Sequence, residues 1–414
     1  MIDQPVVAAP VKPPATGASM SPIVTIGLLS LLLGLQPVTT DLYLPALPAL
    51  RDDLLATMAQ SQLTLTALML AFGCSQLIWG PLSDRFGRRP ILLWGMASYV
   101  AASIGSSTAP SIEQLLIWRA LQGIGMGAAV VCARAIVRDL YAPEAGARAM
   151  SLGLTGLGVI ACLSPIMGGL LAAYVGWRAT LLAVAVFGAA TWLLLIWRYV
   201  ESSPRLNPQA LRPSILARTW WQIIRHPTFR AYSLLCAFSY GGLFTYLAAS
   251  SFVFIRTLGL SVTDYGLAML SVSFVYFVGT FLARRLLQRW GVPRTVAMAG
   301  VLSLLAGSSM GLLALFGVQH VAAILLPMWL FMLGHGVHQS CGQSGAVGPF
   351  PFAAGAASAL NGFFMMLVAF AMGSWLGYRL DTAPTALAYG IWFWSVGIAL
   401  VAWTLVQRQA RSTN

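Results

Sequence analysis

Long apolar runs alternate with short polar segments along the whole chain. About 20 apolar residues cross the ~30 Å hydrocarbon core of a bilayer as a helix. A spanning β-strand would alternate in polarity, and these runs are continuous. The pattern therefore predicts an all-α polytopic membrane protein with twelve transmembrane helices, at about 22–48, 58–80, 90–108, 112–138, 148–172, 178–199, 230–254, 262–284, 294–317, 320–344, 356–378 and 386–406.

A segment rich in proline and arginine divides these runs into two sets of six. It covers residues 200–229, and we expect Trp220 and Trp221 to lie on a short amphipathic helix within it. The predicted organisation is a disordered cytoplasmic tail at 1–21, an N-terminal six-helix half at 22–199, a cytoplasmic linker at 200–229, a C-terminal half at 230–406 and a cytoplasmic tail at 407–414.

The two halves share a pattern after their second span. Gly80–Pro90 and Gly279–Arg294 each contain an opening glycine, an arginine cluster and a second glycine, although the second copy lacks the aspartate. Such a repeat predicts halves related by pseudo-two-fold symmetry, with a binding site at their interface.

The basic residues predict the orientation. The chain has 24 Lys and Arg against 11 Asp and Glu, and its net charge is +13. With both termini in the cytoplasm, 19 of the 24 basic residues lie on or near that side, as the positive-inside rule requires. This distribution favours a role in topology and contact with the lipid bilayer over binding to nucleic acid.

One acidic residue lies inside a predicted span. The other ten fall in loops or at span ends, whereas Asp41 lies several residues inside the first span, close to Tyr43. A carboxylate within a membrane is costly and usually faces a cavity with a function. We therefore predict that Asp41 loads and releases protons. The alternative is a helix-end aspartate that reaches external water, helped by Pro45 and Pro48.

Arg119 is the matching cation. It lies about 9 Å into the fourth span at 1.5 Å per residue, at a depth similar to that of Asp41. Our hypothesis is that Arg119 tunes Asp41, and the alternative is that it caps backbone carbonyls of the first span. Gln122, one turn away, and Met126 are expected to line the first-half cavity with Tyr43.

The second half offers aromatic and polar candidates. Met and aromatic side chains suit varied ligands, and Tyr240, Phe244 and Phe364 are our candidates for the cavity. His335, His338 and Gln339 of the tenth span are expected to form a polar patch that lines the second-half cavity, with both histidines near one helix face. Two histidines without a carboxylate make a poor metal site, so no metal is expected, while a proton role stays open.

No nucleophile elbow, phosphate loop or metal cluster is present, and the five cysteines all lie within predicted spans. The sequence therefore predicts no enzyme and no cofactor. Energy would come from an ion gradient.

Four motifs resemble the major facilitator superfamily. Gly80–Pro90 is similar to its loop 2–3 motif, and Arg119–Gly125 resembles its helix-4 motif. Ser164–Gly169 resembles the helix-5 antiporter motif, with Ser164 where glycine is usual. Thr40–Pro48 resembles helix 1 of the bicyclomycin/chloramphenicol-resistance (Bcr/CflA) branch of drug:proton antiporters. The resemblance covers nearly the whole chain and does not specify the substrate.

This resemblance implies the major facilitator fold and a function. It implies a monomeric, proton-coupled antiporter of the bacterial inner membrane that exports small, mostly apolar drugs by alternating access. It assigns proton coupling to Arg119. It also assigns Pro165, Gly168 and Gly169 to a bend that seals the cavity against proton leak, although a packing kink would explain the same residues.

Two other functions stay open. A carrier of a metabolite such as a purine, nucleoside, sugar or amino-acid derivative would have a narrow substrate range. A membrane receptor or scaffold that transports nothing would require Asp41→Asn to change no flux.

We assign gating to the loop 2–3 motif, whose charge lies far from the membrane midplane. Asp84 can neutralise the positive N-terminal end of a facing helix, and the resemblance implies that this is the helix of the eleventh span, near Ala356–Asn361. The arginines are expected to pair across the interface of the halves. The residues of this gating motif are Gly80, Asp84, Arg85, Gly87, Arg88 and Arg89.

Overall fold

A computed structural model of the chain describes residues 20–203, 206–379 and 385–412. Of the predicted disordered tail, residues 1–19 lie outside the described residues. The described helices are α1 (Pro22–Asp41), α2 (Leu47–Asp53), α3 (Met58–Phe86), α4 (Arg88–Ser107), α5 (Ile112–Leu140), α6 (Pro143–Tyr174), α7 (Trp177–Arg198), α8 (Pro213–Arg225), α9 (Pro227–Ser251), α10 (Val262–Leu315), α11 (Val321–Val347), α12 (Ala354–Arg379), α13 (Ala386–Trp403) and α14 (Leu405–Ser412).

Ten helical segments of the described chain are long and apolar enough to cross a membrane. One of them, α10, has 54 residues, about 80 Å of helix against ~30 Å of hydrocarbon. It contains a non-helical residue, Gly291, with φ of 70°, so it supplies two crossings. With α4, a helix of 20 residues that packs against α5 and α7, the predicted twelve spans are accounted for.

The repeated arginine-rich segments share a backbone feature. Gly87 separates α3 from α4 with φ of 97°, and Gly291 separates the two parts of α10 with φ of 70°. Glycine adopts positive φ without the steric cost that a Cβ imposes. Each half therefore makes its turn after the second span at a glycine, as the repeat predicts.

The first span is less regular than predicted. α1 ends at Asp41, and the chain continues through a 3₁₀ turn at Leu44–Ala46 into α2. Pro45 and Pro48 lack the backbone N–H that an unbroken helix needs at these positions. Asp41 is thus the last residue of a helix, but the span itself continues to Asp53.

Two pairs of helices form the main contact between the halves, α3 with α12 and α6 with α10. Glycines permit the close approach of the first pair, since a Cβ at Gly73 would overlap Met366 and one at Gly373 would overlap Thr66. Small residues have this role at helix interfaces within membranes.

The predicted amphipathic helix with Trp220 and Trp221 is present as α8, which packs on α9 and α12. The assignment of residues 200–229 as a cytoplasmic linker stays a prediction. Below, the end of the bundle that carries Arg85 and Arg138 is called the arginine-rich end, and the opposite end is called the Asp52 end.

Candidate functional site

Arg119 lies at the centre of the first half, and its side chain is fully buried. Its guanidinium donates hydrogen bonds to the carbonyl oxygens of Thr39 at 3.2 Å and Thr64 at 3.3 Å, and to Oε1 of Gln122 at 2.6 Å. The ring of Tyr43 lies 4.3 Å from Cζ. Carbonyl dipoles and an aromatic face therefore stabilise the cation.

This arrangement places Arg119 at the end of α1. The Thr39 carbonyl belongs to the last turn of that helix, where carbonyls lack helical partners and carry partial negative charge. In the part of the chain that the structure describes, no ion pair joins Arg119 to Asp41, and the hydrogen bonds of Arg119 go elsewhere. The geometry thus matches the alternative interpretation, in which Arg119 caps the first span.

A second layer of hydrogen bonds surrounds Arg119. Gln122 donates to Ser103 Oγ at 2.6 Å, and the Tyr43 hydroxyl lies 2.7 Å from Thr64 Oγ1. The Tyr99 hydroxyl lies 2.6 Å from the hydroxyl of Thr39. The site roles of Thr39, Thr64, Tyr99 and Ser103 were not predictable from the sequence, because a neutral polar residue in an apolar run gives no distinctive signal.

The residues predicted to line the first-half cavity are packed inside this half. Tyr43, Gln122 and Met126 are all fully buried. Tyr43 and Gln122 support Arg119.

Asp41 is half-buried at the end of α1, and Thr40 donates a hydrogen bond of 2.7 Å to its Oδ1. Within the described residues it forms no ion pair. It lies within electrostatic range of the hydroxyls of Tyr240 and Tyr265 and of the Cys162 thiol. These groups belong to α9, α10 and α6, so the carboxylate lies where the two halves meet.

Tyr240 connects the halves beside Asp41. Its hydroxyl accepts a hydrogen bond from Gln36 of α1 at 3.2 Å and lies 4.0 Å from Met69 Sδ of α3. Its ring stacks on Phe244, with centroids 6.4 Å apart. Gln36 was missed in the sequence, although an amide five residues before Asp41 in an apolar run was an available signal.

The two histidines are buried and contact different helices. His335 Nδ1 lies 2.8 Å from Ser239 Oγ of α9, and His338 Nε2 lies 3.2 Å from Ser303 Oγ of α10. His338 Nδ1 has no hydrogen-bond partner in the described structure. The two histidines therefore make their hydrogen bonds to different neighbouring helices, and their place in the substrate cavity stays a prediction.

The other two second-half candidates lie among local partners. Gln339 donates to the Cys236 carbonyl at 3.1 Å. Phe364 is half-buried, and its ring centroid lies 6.5 Å from that of Phe229.

At the arginine-rich end, Arg88 joins three helices of the first half. It pairs with Asp84 at 2.6 Å and Asp139 at 2.9 Å, and it donates to Ser83 Oγ at 2.7 Å. The expectation that this arginine pairs across the interface is therefore not what the structure has, because both of its carboxylate partners belong to the first half. The expectation that Asp84 faces the start of the eleventh span, which is α12, stays a prediction. Asp139, noted in the sequence only as a residue at a span end, is the missed partner.

Among the described residues, two other arginines make hydrogen bonds that cross the interface at this end. Arg134 donates to Ser358 Oγ of α12 at 2.7 Å, and Arg284 of α10 donates to Ser151 Oγ of α6 at 3.0 Å. At the Asp52 end, Arg256 pairs with Asp52.

Glu201 was also missed. Its carboxylate accepts the backbone N–H groups of Arg88 at 3.0 Å and Arg89 at 2.9 Å. It thus caps the N-terminus of α4, where unpaired donors and positive dipole favour an anion. A Cβ at Gly87 would lie 2.6 Å from this carboxylate, so the glycine is needed for space as well as for its positive φ.

The antiporter motif lies at two contacts of α6. A Cβ at Gly168 would overlap the Leu42 carbonyl, just beyond Asp41, and one at Gly169 would lie 3.0 Å from the Val262 carbonyl of the other half. α6 runs as one helix with Pro165 inside it, so the motif does not divide the span into two helices, and the bend that seals the cavity stays a prediction. The glycines here serve close packing.

Two open cavities lie away from these residues. One is between the ends of α9 and α10 and the starts of α11 and α13, beside His320. The other lies on α13 around Trp392 and Trp394. None of the predicted site residues lines either cavity.

Residues 29–374 match a family model described as the Major Facilitator Superfamily. Multidrug resistance protein D of Escherichia coli is 32% identical over 81% of this chain and 84% of its own length. The chloramphenicol resistance protein of Pseudomonas aeruginosa is 31% identical over 77% and 75%. A bicyclomycin resistance protein homolog of Haemophilus influenzae is 28% identical over 88% and 91%.

Solved structures agree on the fold. The xylose transporter XylE of E. coli, in a partially occluded inward open conformation, superposes with a TM-score of 0.72 at 15% identity, over 92% of this chain and 96% of its own. The human organic anion transporter MFSD10 gives a TM-score of 0.70 at 21% identity, over 94% and 100%. The chain is therefore a multi-pass membrane transporter, not an enzyme, and it belongs to the Major Facilitator Superfamily, where its relatives match the bicyclomycin/chloramphenicol-resistance branch.

Proposed function

We propose that this transporter is a proton-coupled antiporter that exports small, mostly apolar drugs, such as chloramphenicol- or bicyclomycin-like compounds, by alternating access. The observation that carries the proposal is the environment of Asp41. This carboxylate lies between the halves without a cationic partner among the described residues, within range of two tyrosine hydroxyls. The names of three relatives, which refer to drug resistance, support the substrate class.

In the proposed cycle, the charge of Asp41 changes when it binds a proton. A buried carboxylate is costly when ionised, so protonation favours the arrangement that encloses it, and release of the proton favours opening. Arg119 acts as a positioning residue, because it holds the last turn of the helix that carries Asp41. Tyr240 and Gln36 form the contact that changes when one half moves against the other.

The deciding experiment measures drug accumulation in cells with and without a protonophore. Export that depends on the proton gradient is expected, and efflux that survives the protonophore would refute the proposal. In purified protein, drug binding should release protons from the native chain and at least ~10-fold fewer from Asp41→Asn, because the amide cannot ionise. A narrow substrate range in a competition screen would instead support a metabolite carrier.

We also propose that the arginine-rich end is cytoplasmic and that both termini lie there. The membrane is the bacterial inner membrane, and one chain suffices for transport.

The gating assignment then concerns the cluster of Asp84, Arg88 and Asp139, which joins α3, α4 and α5. Asp84→Asn weakens one charged contact of this cluster. We expect turnover to fall about 3- to 10-fold, as for ~1 kcal/mol, with drug affinity nearly unchanged. Lost affinity with normal turnover would contradict gating.

A further inference from the structure

The helix α8 has two distinct faces. Its apolar side chains Leu216, Trp220, Ile223 and Ile224 are partly or fully buried where the helix packs on α9 and α12. Its other face is basic and exposed. The arginines at its start and along that face are Arg212, Arg218 and Arg225; they are here called the basic face.

An aromatic residue lies at the border of the two faces. Trp221 is 57% exposed, and the guanidinium of Arg225 lies 4.3 Å from its ring. An exposed tryptophan on a basic amphipathic helix is typical of a helix that lies at the boundary between headgroups and acyl chains.

The charge of the basic face is not neutralised by neighbours. No acidic residue occurs in the sequence between Glu201 and Asp264. In the part of the chain that the structure describes, no carboxylate pairs with the three arginines or with exposed Arg230, the fourth basic residue nearby. Neighbouring α14, which contacts α9, adds the exposed Arg408.

The position of α8 matches the height of lipid headgroups. It ends at Arg225, and the membrane span α9 begins at Pro227. Four or more basic residues directly beside a transmembrane helix form a site that attracts anionic lipids. A guanidinium matches a phosphate oxygen pair in geometry as well as in charge.

The segment that carries α8 connects the two halves. On the first half, Glu201 caps α4, and the backbone N–H of Asn207 donates to the Asp84 carbonyl at 2.9 Å. On the second half, α8 packs on α9 and α12. A ligand that holds α8 at the membrane surface therefore acts on the connection between the halves, next to the gating cluster.

We propose that the basic face of α8, with Trp221 at its border, is a binding surface for the phosphate headgroup of anionic phospholipids, and that the bound lipid limits how far the two halves move. The binding surface is independent of which substrate the protein carries. Only the effect on movement rests on the proposed function.

The test compares the full-length purified protein in micelles or nanodiscs with phosphatidylglycerol or with phosphatidylcholine. Lipid retention by native mass spectrometry and the Tm are measured for the native chain and for the double variant Arg218→Gln/Arg225→Gln. Each basic residue near an anionic surface contributes about 5-fold in affinity, so the pair should weaken phosphatidylglycerol binding about 30-fold. The variant should melt like the native chain in phosphatidylcholine, because both side chains are exposed.

The matched control is Arg285→Gln/Arg289→Gln, which removes two exposed arginines on α10, one of them beside Trp290. It should leave phosphatidylglycerol binding within about 3-fold of the native value. An equal loss in both double variants would show diffuse attraction to net charge and overturn the proposal. An equal rise in Tm with inorganic phosphate in place of phosphatidylglycerol would also overturn the proposal, because the surface would then bind a free anion.

Transport is measured separately in vesicles of the two compositions. The transport rate of the native chain should differ between phosphatidylglycerol and phosphatidylcholine vesicles, and the transport rate of the Arg218→Gln/Arg225→Gln variant should not. If no drug tested is carried, the binding measurements still decide the lipid surface, and that failure counts against the proposed function alone.

Discussion

The interiors of the two halves differ in how completely their polar groups are paired. In the first half, the three hydrogen bonds of Arg119 reach buried acceptors, and Gln122 has partners on both sides of its amide. Outside this network, Gln62 Oε1 and Thr66 Oγ1 of the first half are buried without a hydrogen-bond partner in the described structure. In the second half, His338 Nδ1 and Asn361 Oδ1 are buried without a hydrogen-bond partner in the described structure.

This difference suggests a division of roles. A fully paired polar network holds its side chains in one arrangement, so the first half keeps the end of α1, and with it Asp41, in a defined place. Unpaired groups among aromatic side chains leave the second half able to adapt, because a ligand or water can supply the missing partner. Three substitutions test this comparison.

Arg119→Met should have the largest effect. Three hydrogen bonds are lost and the end of α1 is left uncapped. Two of these bonds, to Thr39 and Thr64, join different helices. At about 0.6–1.7 kcal/mol for each interhelical hydrogen bond, we expect the free energy of unfolding to fall by about 1–3 kcal/mol in denaturant titrations. Arg119→Lys should lose part of this, since an ammonium cannot reach all three acceptors.

The matched control for Arg119→Met is Arg134→Met, in which the hydrogen bond to Ser358 is lost. Arg134→Met should lower the free energy of unfolding by about 0.6 kcal/mol. If both variants cost the same, the network around Arg119 has no special weight. If the Arg119→Lys variant transports drug at the native rate, the role of Arg119 in positioning Asp41 is refuted.

Tyr240→Phe should have an intermediate effect. It removes the hydroxyl that contacts Gln36 and Met69 across the interface and keeps the ring that stacks on Phe244. Losing ~0.6 kcal/mol from this arrangement shifts the equilibrium between conformations about 3-fold.

Distances between labels on the two halves of Tyr240→Phe report that shift. Tyr246→Phe is the control, because the Tyr246 hydroxyl is buried without a hydrogen-bond partner among the described residues and its loss should leave the distribution of distances unchanged. An unchanged distribution for Tyr240→Phe would show that the hydroxyl does not connect the halves.

His338→Gln should have the smallest effect. The glutamine amide can still reach Ser303. No contact is lost with Nδ1 of His338, which has no hydrogen-bond partner in the described structure. We expect transport within about 2-fold of native and the same dependence on pH, since only one neutral hydrogen bond is exchanged. A change of 10-fold or more, or a shifted pH profile, would place a proton site in the second half and remove the contrast between the halves.

Parts of the site were predictable because they violate the local pattern. Asp41 is a carboxylate in an apolar run, and Arg119 is a cation in another, so burial alone marked both. Their relation was not predictable. Similar depth in two helices suggested mutual contact, whereas Arg119 turns towards the carbonyl of Thr39 because helix ends offer unpaired acceptors.

The residues around them gave weaker signals. Tyr99 and Ser103 are ordinary members of an apolar span, and only the packing of α4 against α5 brings them to the network. Asp139 and Glu201 are acids at the ends of spans, where acids are common. Their roles depend on which helix start or arginine lies opposite, which one sequence does not show.

The sequence by itself determined the class of the protein, the number of its spans, the division into two halves and the identity of the solitary membrane acid. These follow from the cost of exposing polar groups to lipid, which acts on each segment separately. Only the tertiary structure decided which groups pair with which, because rotation and tilt of each helix depend on packing against its neighbours. That packing turned Arg119 away from Asp41, kept Arg88 within its own half and left Tyr240 to join the two.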